Sequence, residues 1–244
     1  MKSALALACL LLGIISDVEI ASAQLRSILQ ADSKQQKPPV PGRPPEREPA
    51  GTRGPCEKTE TSFTPLLPVR NTGNRFSGLT LSGHPTFWFY IPYKTSSVRA
   101  GEFALEDEQG NSVYQTSFKL PDTPGFVSVN LPTTAKSLEK DKPYRWTFTL
   151  YCESLDQAES PPVWHTGTVQ RIDMPALETQ LKTAILEKRI NLYANHNIWY
   201  DVSTDLANIH NSPQAWLNLL KVTNLEQLGQ AAIAGPVVPI DSKN

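Results

Sequence analysis

The chain has few of the residues that announce a reaction. It contains neither a Gly-x-Ser-x-Gly elbow nor a glycine-rich loop opening a helix, so the signatures of serine hydrolases and of phosphate-cradling folds are missing. Its four histidines, His84, His165, His196 and His210, stand at neither the helical nor the strand spacing of a metal site. A net charge of −1 excludes the basic excess that marks a nucleic-acid binder. Cysteine is scarce as well, with three in 244 residues.

The residues that are present point outward from the cytoplasm. Lys2 precedes an apolar run from Ala4 to Ile15, and Ala21-Ser22-Ala23 has the small-x-small form read by signal peptidase. This predicts a secretory signal peptide over residues 1–23 and a mature chain beginning at Gln24. The run is too short to span a bilayer, for which about 20 apolar residues are needed, and no integral membrane segment is expected after cleavage. Removing Lys2, Asp17 and Glu19 with the leader leaves acidic and basic residues in equal number. Removing Cys9 leaves Cys56 and Cys152, and in an oxidising compartment such a pair predicts a disulfide.

Residues 24–55 read as a disordered linker. Pro38, Pro39, Pro41, Pro44, Pro45 and Pro49 fall within twelve residues, interleaved with Arg and Glu. Such a stretch favours extended polyproline II and has too little apolar surface to offset its ordering entropy.

From 56 to 172 the patterns are those of strands. Tyr144 to Cys152 alternates, placing Tyr144, Trp146, Phe148, Leu150 and Cys152 on one face. Glu102 to Leu120 holds two alternating runs around the turn residues Glu108-Gln109-Gly110-Asn111, the pattern of a hairpin. Val127 to Leu131 and Trp164 to Ile172 are further strands. Together they predict an α+β fold in which an antiparallel, immunoglobulin-like β-sandwich precedes a helical hairpin region. In Pro85 to Pro92 both faces are aromatic or apolar, so Trp88 and Tyr90 are expected either beneath a cover or as an exposed platform.

Residues 173–234 carry helical signals. Asp173 as a cap and Pro175 in the first turn open a helix with Leu177, Leu181 and Ile185 at fourfold spacing. A second helix runs from Leu186 to Ala194, and a third from Ile198 to His210 carries Trp199, Val202, Leu206 and Ile209 on one face. Ser212-Pro213 starts a fourth helix, Leu225 to Ile233 reads as a last short one, and 235–244 as an irregular tail.

Gly51 to Cys56, Gly78 to Leu81, His84 to Tyr93, Pro121 to Gly125, Tyr144 to Cys152, Leu192 to Ala194 and Ile198-Trp199-Tyr200-Asp201 together resemble an exported cyanobacterial family catalogued as a domain of unknown function, family 928. The resemblance covers most of the chain after the linker. It implies a periplasmic or secreted protein and brings no assigned activity.

No residue set declares a catalytic centre, and no cofactor or metal is expected. Glu106-Asp107-Glu108 reads as a solvated hairpin end, with fewer oxygen ligands than calcium requires. The residues singled out as ligand or partner contacts are Trp88, Tyr90, Trp164 and His165. The resulting expectation is a non-catalytic envelope protein whose partner is an envelope protein or a cell-surface glycan. A glycan-binding sandwich and a hydrolase with a dispersed active site are the alternatives.

Overall fold

Alternating segments form the strands of the computed structural model, which describes residues 56, 59–70, 75–152, 162–202 and 205–240, all within the unit Pro38–Asn244. The expected leader (1–23) and linker (24–55) lie outside the described residues. The strands are β1 (Thr64–Pro65), β2 (Val69–Arg70), β3 (Arg75–Thr80), β4 (Thr86–Ile91), β5 (Val98–Glu106), β6 (Ser112–Lys119), β7 (Gly125–Asn130), β8 (Pro143–Cys152), β9 (Val163–Arg171), β10 (Ile233–Pro236) and β11 (Val238–Pro239). They build a smaller sheet in the order β1-β4-β7-β10 and a larger one in the order β11-β6-β5-β8-β9-β3-β2.

The inner faces of the two sheets meet over an aromatic core. Phe87, Phe89 and Ile91 of β4 are buried against Phe103, Trp146 and Phe148 of the larger sheet. The ring centroids of Phe89 and Phe148 are 4.1 Å apart, and those of Phe87 and Phe103 are 4.9 Å apart. Each such side chain contributes about 1.5–3 kcal/mol through its removal from water. Strand β8 buries every second residue from Tyr144 to Cys152, as its alternation predicts. Gly167 is required in β9 because a Cβ there would lie 2.3 Å from Trp146 Cζ2. Cys56 and Cys152 are joined, with their Cα atoms 5.3 Å apart and a sequence separation of 96. Closing a loop of that length contributes about 4–5 kcal/mol in the chain-entropy argument.

The expectation of purely antiparallel sheets needs correction. Strand β3 runs parallel to β9, and β10 runs parallel to β7. Both pairs join segments far apart in sequence, and alternation specifies a strand without specifying its neighbour. The segment read as an irregular tail is also different. Leu225 to Ile233, read as a last short helix, holds only a 3-10 turn (Glu226–Leu228), after which β10 joins the smaller sheet and β11 the larger. Gly235 at φ 99° lies in the left-handed region within β10, where the register with β7 shifts. The amide of Val237 donates to Ser128 O at 2.9 Å, and that of Ile240 to Ser117 O at 2.8 Å, which ties the two sheets together at this edge.

The helices are α1 (Pro175–Thr183), α2 (Leu186–Asn195), α3 (Trp199–Val202), α4 (Leu206–His210) and α5 (Pro213–Thr223). Met174, not Asp173, is the N-cap of α1, while Asp173 pairs with Lys140 at 2.6 Å. The helix ends before Ile185, which is 72% exposed in the extended link to α2. The expected continuous helix over 198–210 is instead α3 and α4, yet Trp199, Val202, Leu206 and Ile209 are all buried.

Candidate functional site

The best-defined polar arrangement lies where the helical region meets the edge of β3. Strand β2 pairs with β3 at Phe76 and Arg75, leaving later edge amides for other partners. The amide of Leu79 donates to Asn197 O at 3.0 Å, and that of Leu81 donates to Asp201 Oδ2 at 3.0 Å. A turn and the first residues of α3 thus meet two alternate edge amides, as a neighbouring strand would. Asn197 supports this turn with φ 59° and accepts Trp199 Nε1–H at 2.8 Å. Trp199 and Tyr200 pack directly on Gly78, where a Cβ would approach Tyr200 Cε2 to 3.1 Å.

Tyr200 inserts into the sandwich. Its hydroxyl accepts Trp146 Nε1–H at 2.6 Å and donates to Thr168 O at 2.9 Å. Burial pushes the phenol far above the ordinary tyrosine range. Asp201 is buried beside it, and burial, opposed by hydrogen bonds from Thr80 and Leu81, pushes its carboxyl up to about 6. The charges of Asp205 and Glu178 add to that rise. Behind Asp201, Arg189 pairs with Asp205 at 2.5 Å. These groups join elements together.

The residues singled out from sequence do not converge. Trp88 and Tyr90 are half-buried on the outer face of the smaller sheet. Tyr90 lies 5.4 Å from Phe126, whose ring meets Trp216 of α5 at 5.2 Å, so the helices cover this face in part. Burial raises the Tyr90 phenol. The indole N–H of Trp88 is itself buried, and the residue borders a cavity of about 10 Å³ with Leu66, Leu67 and Tyr200. His165 points inward at the rim of the core, 4.7 Å from Phe63 and 5.4 Å from Phe76, with Nε2 2.8 Å from Phe63 O. Trp164, its neighbour in the strand, points to the outer face of the larger sheet. Tyr200 and Asp201 carry the joint, and the only sequence sign of them was their place in the family-like stretch Ile198 to Asp201.

That outer face is a second candidate surface. By register Trp164 lies beside Thr149, Thr149 beside Glu102, and Glu102 beside Ser117, a row across four strands. The phenol of Tyr151 donates to Glu102 Oε2 at 2.9 Å, and Arg145 pairs with Glu106 at 2.5 Å. None of the outward residues of β8 is buried. At one end of the sheet, Asp107 to Gly110, Tyr144, Arg145 and Thr168 line a shallow cleft of about 140 Å³. Asp107 organises that turn by accepting the Asn111 side-chain amide at 2.9 Å and the backbone amides of Asn111 and Gln109 at 2.8 and 3.0 Å, and these bonds, the side-chain one foremost, hold its carboxyl below the ordinary range. Among the described residues no three His, Cys, Asp or Glu side chains gather as metal ligands.

The model of the family described as Domain of Unknown Function (DUF928) matches residues 48–233. The chain belongs to this family. The DUF928 match includes strands β1 to β9 and the helices, so the joint at Tyr200 and Asp201 is internal to the family unit, while β10 after Ile233 and β11 follow its end. No curated protein and no solved structure matches the chain. No helix among the described residues is long and apolar enough to cross a membrane.

Proposed function

We propose that the protein is exported and acts as a non-catalytic interaction module of the cell envelope, in the periplasm or outside the cell. In this reading the leader 1–23 is removed and residues 24–55 tether the folded unit. The disulfide supports an oxidising destination. The observation that carries the interaction reading is how the buried polar groups are used. Tyr200, Asp201 and the pair Arg189–Asp205 hold helices to sheet, where a catalytic centre would turn such groups towards a cleft. The β unit is best read as an immunoglobulin-like sandwich, with helices added to one face. Pairing of β4 with β7, and the order β6-β5-β8-β9 in the other sheet, support that connectivity.

The partner is an envelope protein or a cell-surface glycan, and one feature favours the glycan. Trp164 stands in a row of small polar and acidic residues on the partly exposed outer face of the larger sheet, a setting in which a sugar ring can stack and hydrogen-bond. Trp88 is less suited to stacking, because its N–H is already enclosed.

The test is retention of purified Gln24–Asn244 on fractionated envelope. Capture by polysaccharide selects the glycan, and capture by a protein fraction selects a protein partner. Binding to neither fraction, together with turnover of a soluble substrate, would overturn the module reading. N-terminal sequencing of the native protein tests export separately, with Gln24 as the expected first residue.

A further inference from the structure

The two strands at one edge of the larger sheet are unequal in length. Strand β6 runs from Ser112 to Lys119, while β11 beside it holds only Val238 and Pro239. Their register places Val238 opposite Lys119 and Pro239 opposite Phe118, and the Ile240 amide donates to Ser117 O. From Ser112 to Thr116 the outer edge of β6 pairs with no strand among the described residues. The carbonyl of Ser117 faces this edge, so by the two-residue period of a strand the N–H and C=O of Gln115 face it too.

An open strand edge is a template for another extended chain, and proteins guard such edges with charges, prolines or bulges. The stretch Ser112-Val113-Tyr114-Gln115-Thr116 holds no charge and no proline, and the register shift beside Glu106 is its single irregularity. Strand β11 is guarded by comparison. Because the Ile240 amide turns towards β6, the backbone of Pro239 turns away, and β11 offers no N–H on its outer side. It is also lightly held, with Val238 55% and Ile240 41% exposed.

We propose that the edge of β6 is a strand-acceptor site for an extended segment of a partner protein, which pairs first with Ser112–Thr116 and then displaces β11. Strand β11 shows what the site takes, being itself an extended segment laid antiparallel on the same edge. Tyr114 and Thr116, opposite Leu105 and Phe103, lie on the inner face and are half-buried. Gln115 and Ser117 lie on the outer face and are exposed. The segment that fits therefore carries apolar, β-branched side chains at alternate positions, beside Tyr114, and polar ones between them. The site is the edge of the sheet, three strands from Trp164 in β9, and it does not depend on glycan binding.

The test is amide hydrogen exchange of the whole chain, with and without a synthetic peptide that alternates valine and threonine over the length of β6. At millimolar peptide, exchange at Gln115 is expected to slow by about tenfold or more, and exchange at Ile240 to quicken by a similar factor as its bond to Ser117 is lost. A peptide of the same length with adjacent prolines at its centre cannot complete the ladder and should change neither amide. Gln115→Pro removes an N–H that faces the partner and none that faces β5, so this variant should fold and lose the effect at Ile240. Unchanged exchange at Gln115 or at Ile240 in the parent chain, or the same changes with the proline peptide, overturns the proposal. The parent chain decides the matter whether or not the variant folds.

Discussion

The two outer faces of the sandwich differ although the two inner faces share one chemistry. On the smaller sheet the outward residues include Trp88, Tyr90 and Phe126, and the helices bury Phe126 and Ser128 beneath them. On the larger sheet the outward residues of β8 are Arg145, Thr147, Thr149 and Tyr151, and none is buried. Aromatic area left in water is costly, about 25 cal/mol per Å², so an aromatic outer face is the one on which a cover is stabilising. Threonine, charge pairs and a lone tryptophan require no cover. The helical region therefore sits where its burial gains most, and the face it leaves open is the polar one.

The largest test of that contrast is Tyr200→Ala. It removes a buried ring together with its bonds to Trp146 and Thr168, and should cost about 3–5 kcal/mol in denaturant unfolding. Thr147→Ala on the open face should change stability by less than about 0.5 kcal/mol. Comparable losses at both positions would end the distinction between the faces.

Asp201→Asn is expected to act in the opposite direction. The Asp201 carboxyl is raised from 3.8 to about 6 in the folded chain, so its contribution is present in acid and lost as pH rises through that window. An amide keeps an oxygen for the Leu81 N–H without the cost of a buried charge. At pH 7 the variant should be the more stable protein, by up to about 3 kcal/mol, and its advantage should vanish near about pH 4. Melting temperatures across that range check the sign.

Local patterns made one part of this arrangement legible and left the other hidden. The alternation of β8 placed Tyr144 to Cys152 correctly because side-chain direction in a strand depends only on the next residue. The two cysteines sufficed for the bridge. The fourfold spacing of Leu177, Leu181 and Ile185 overreached, because Ala184 is extended and ends the helical run first. The parallel pairs and the strands of the tail depend on distant partners, which no local pattern names. The joint is the extreme case, for Leu81 and Asp201 meet across 120 residues of sequence. Trp88, Tyr90, Trp164 and His165 were drawn from their residue types and strand contexts, and they occupy two outer faces and the core rim, with no common site.

Arg145→Ala would sharpen the contrast at the next level down. The Arg145–Glu106 pair is about one-third exposed on both sides, so solvent screening limits its worth to about 0.2–1 kcal/mol. Its loss should shrink further at high salt, unlike the loss at Tyr200.

The smallest stability effect is expected at the residue with the most to say about function. Trp164 lies on a partly exposed face, so Trp164→Ala should lower stability by no more than about 1 kcal/mol. If that face binds glycan, the same change should weaken retention on polysaccharide about fivefold or more, since stacking on an aromatic ring supplies about 1 kcal/mol or more beside the polar contacts. Trp88→Ala is its counterpart on the covered face, and it should weaken folding while leaving retention by the folded fraction intact. Retention that followed Trp88 and ignored Trp164 would move the contact to the helix-covered side, and the open face would then be no more than the solvated back of the sheet.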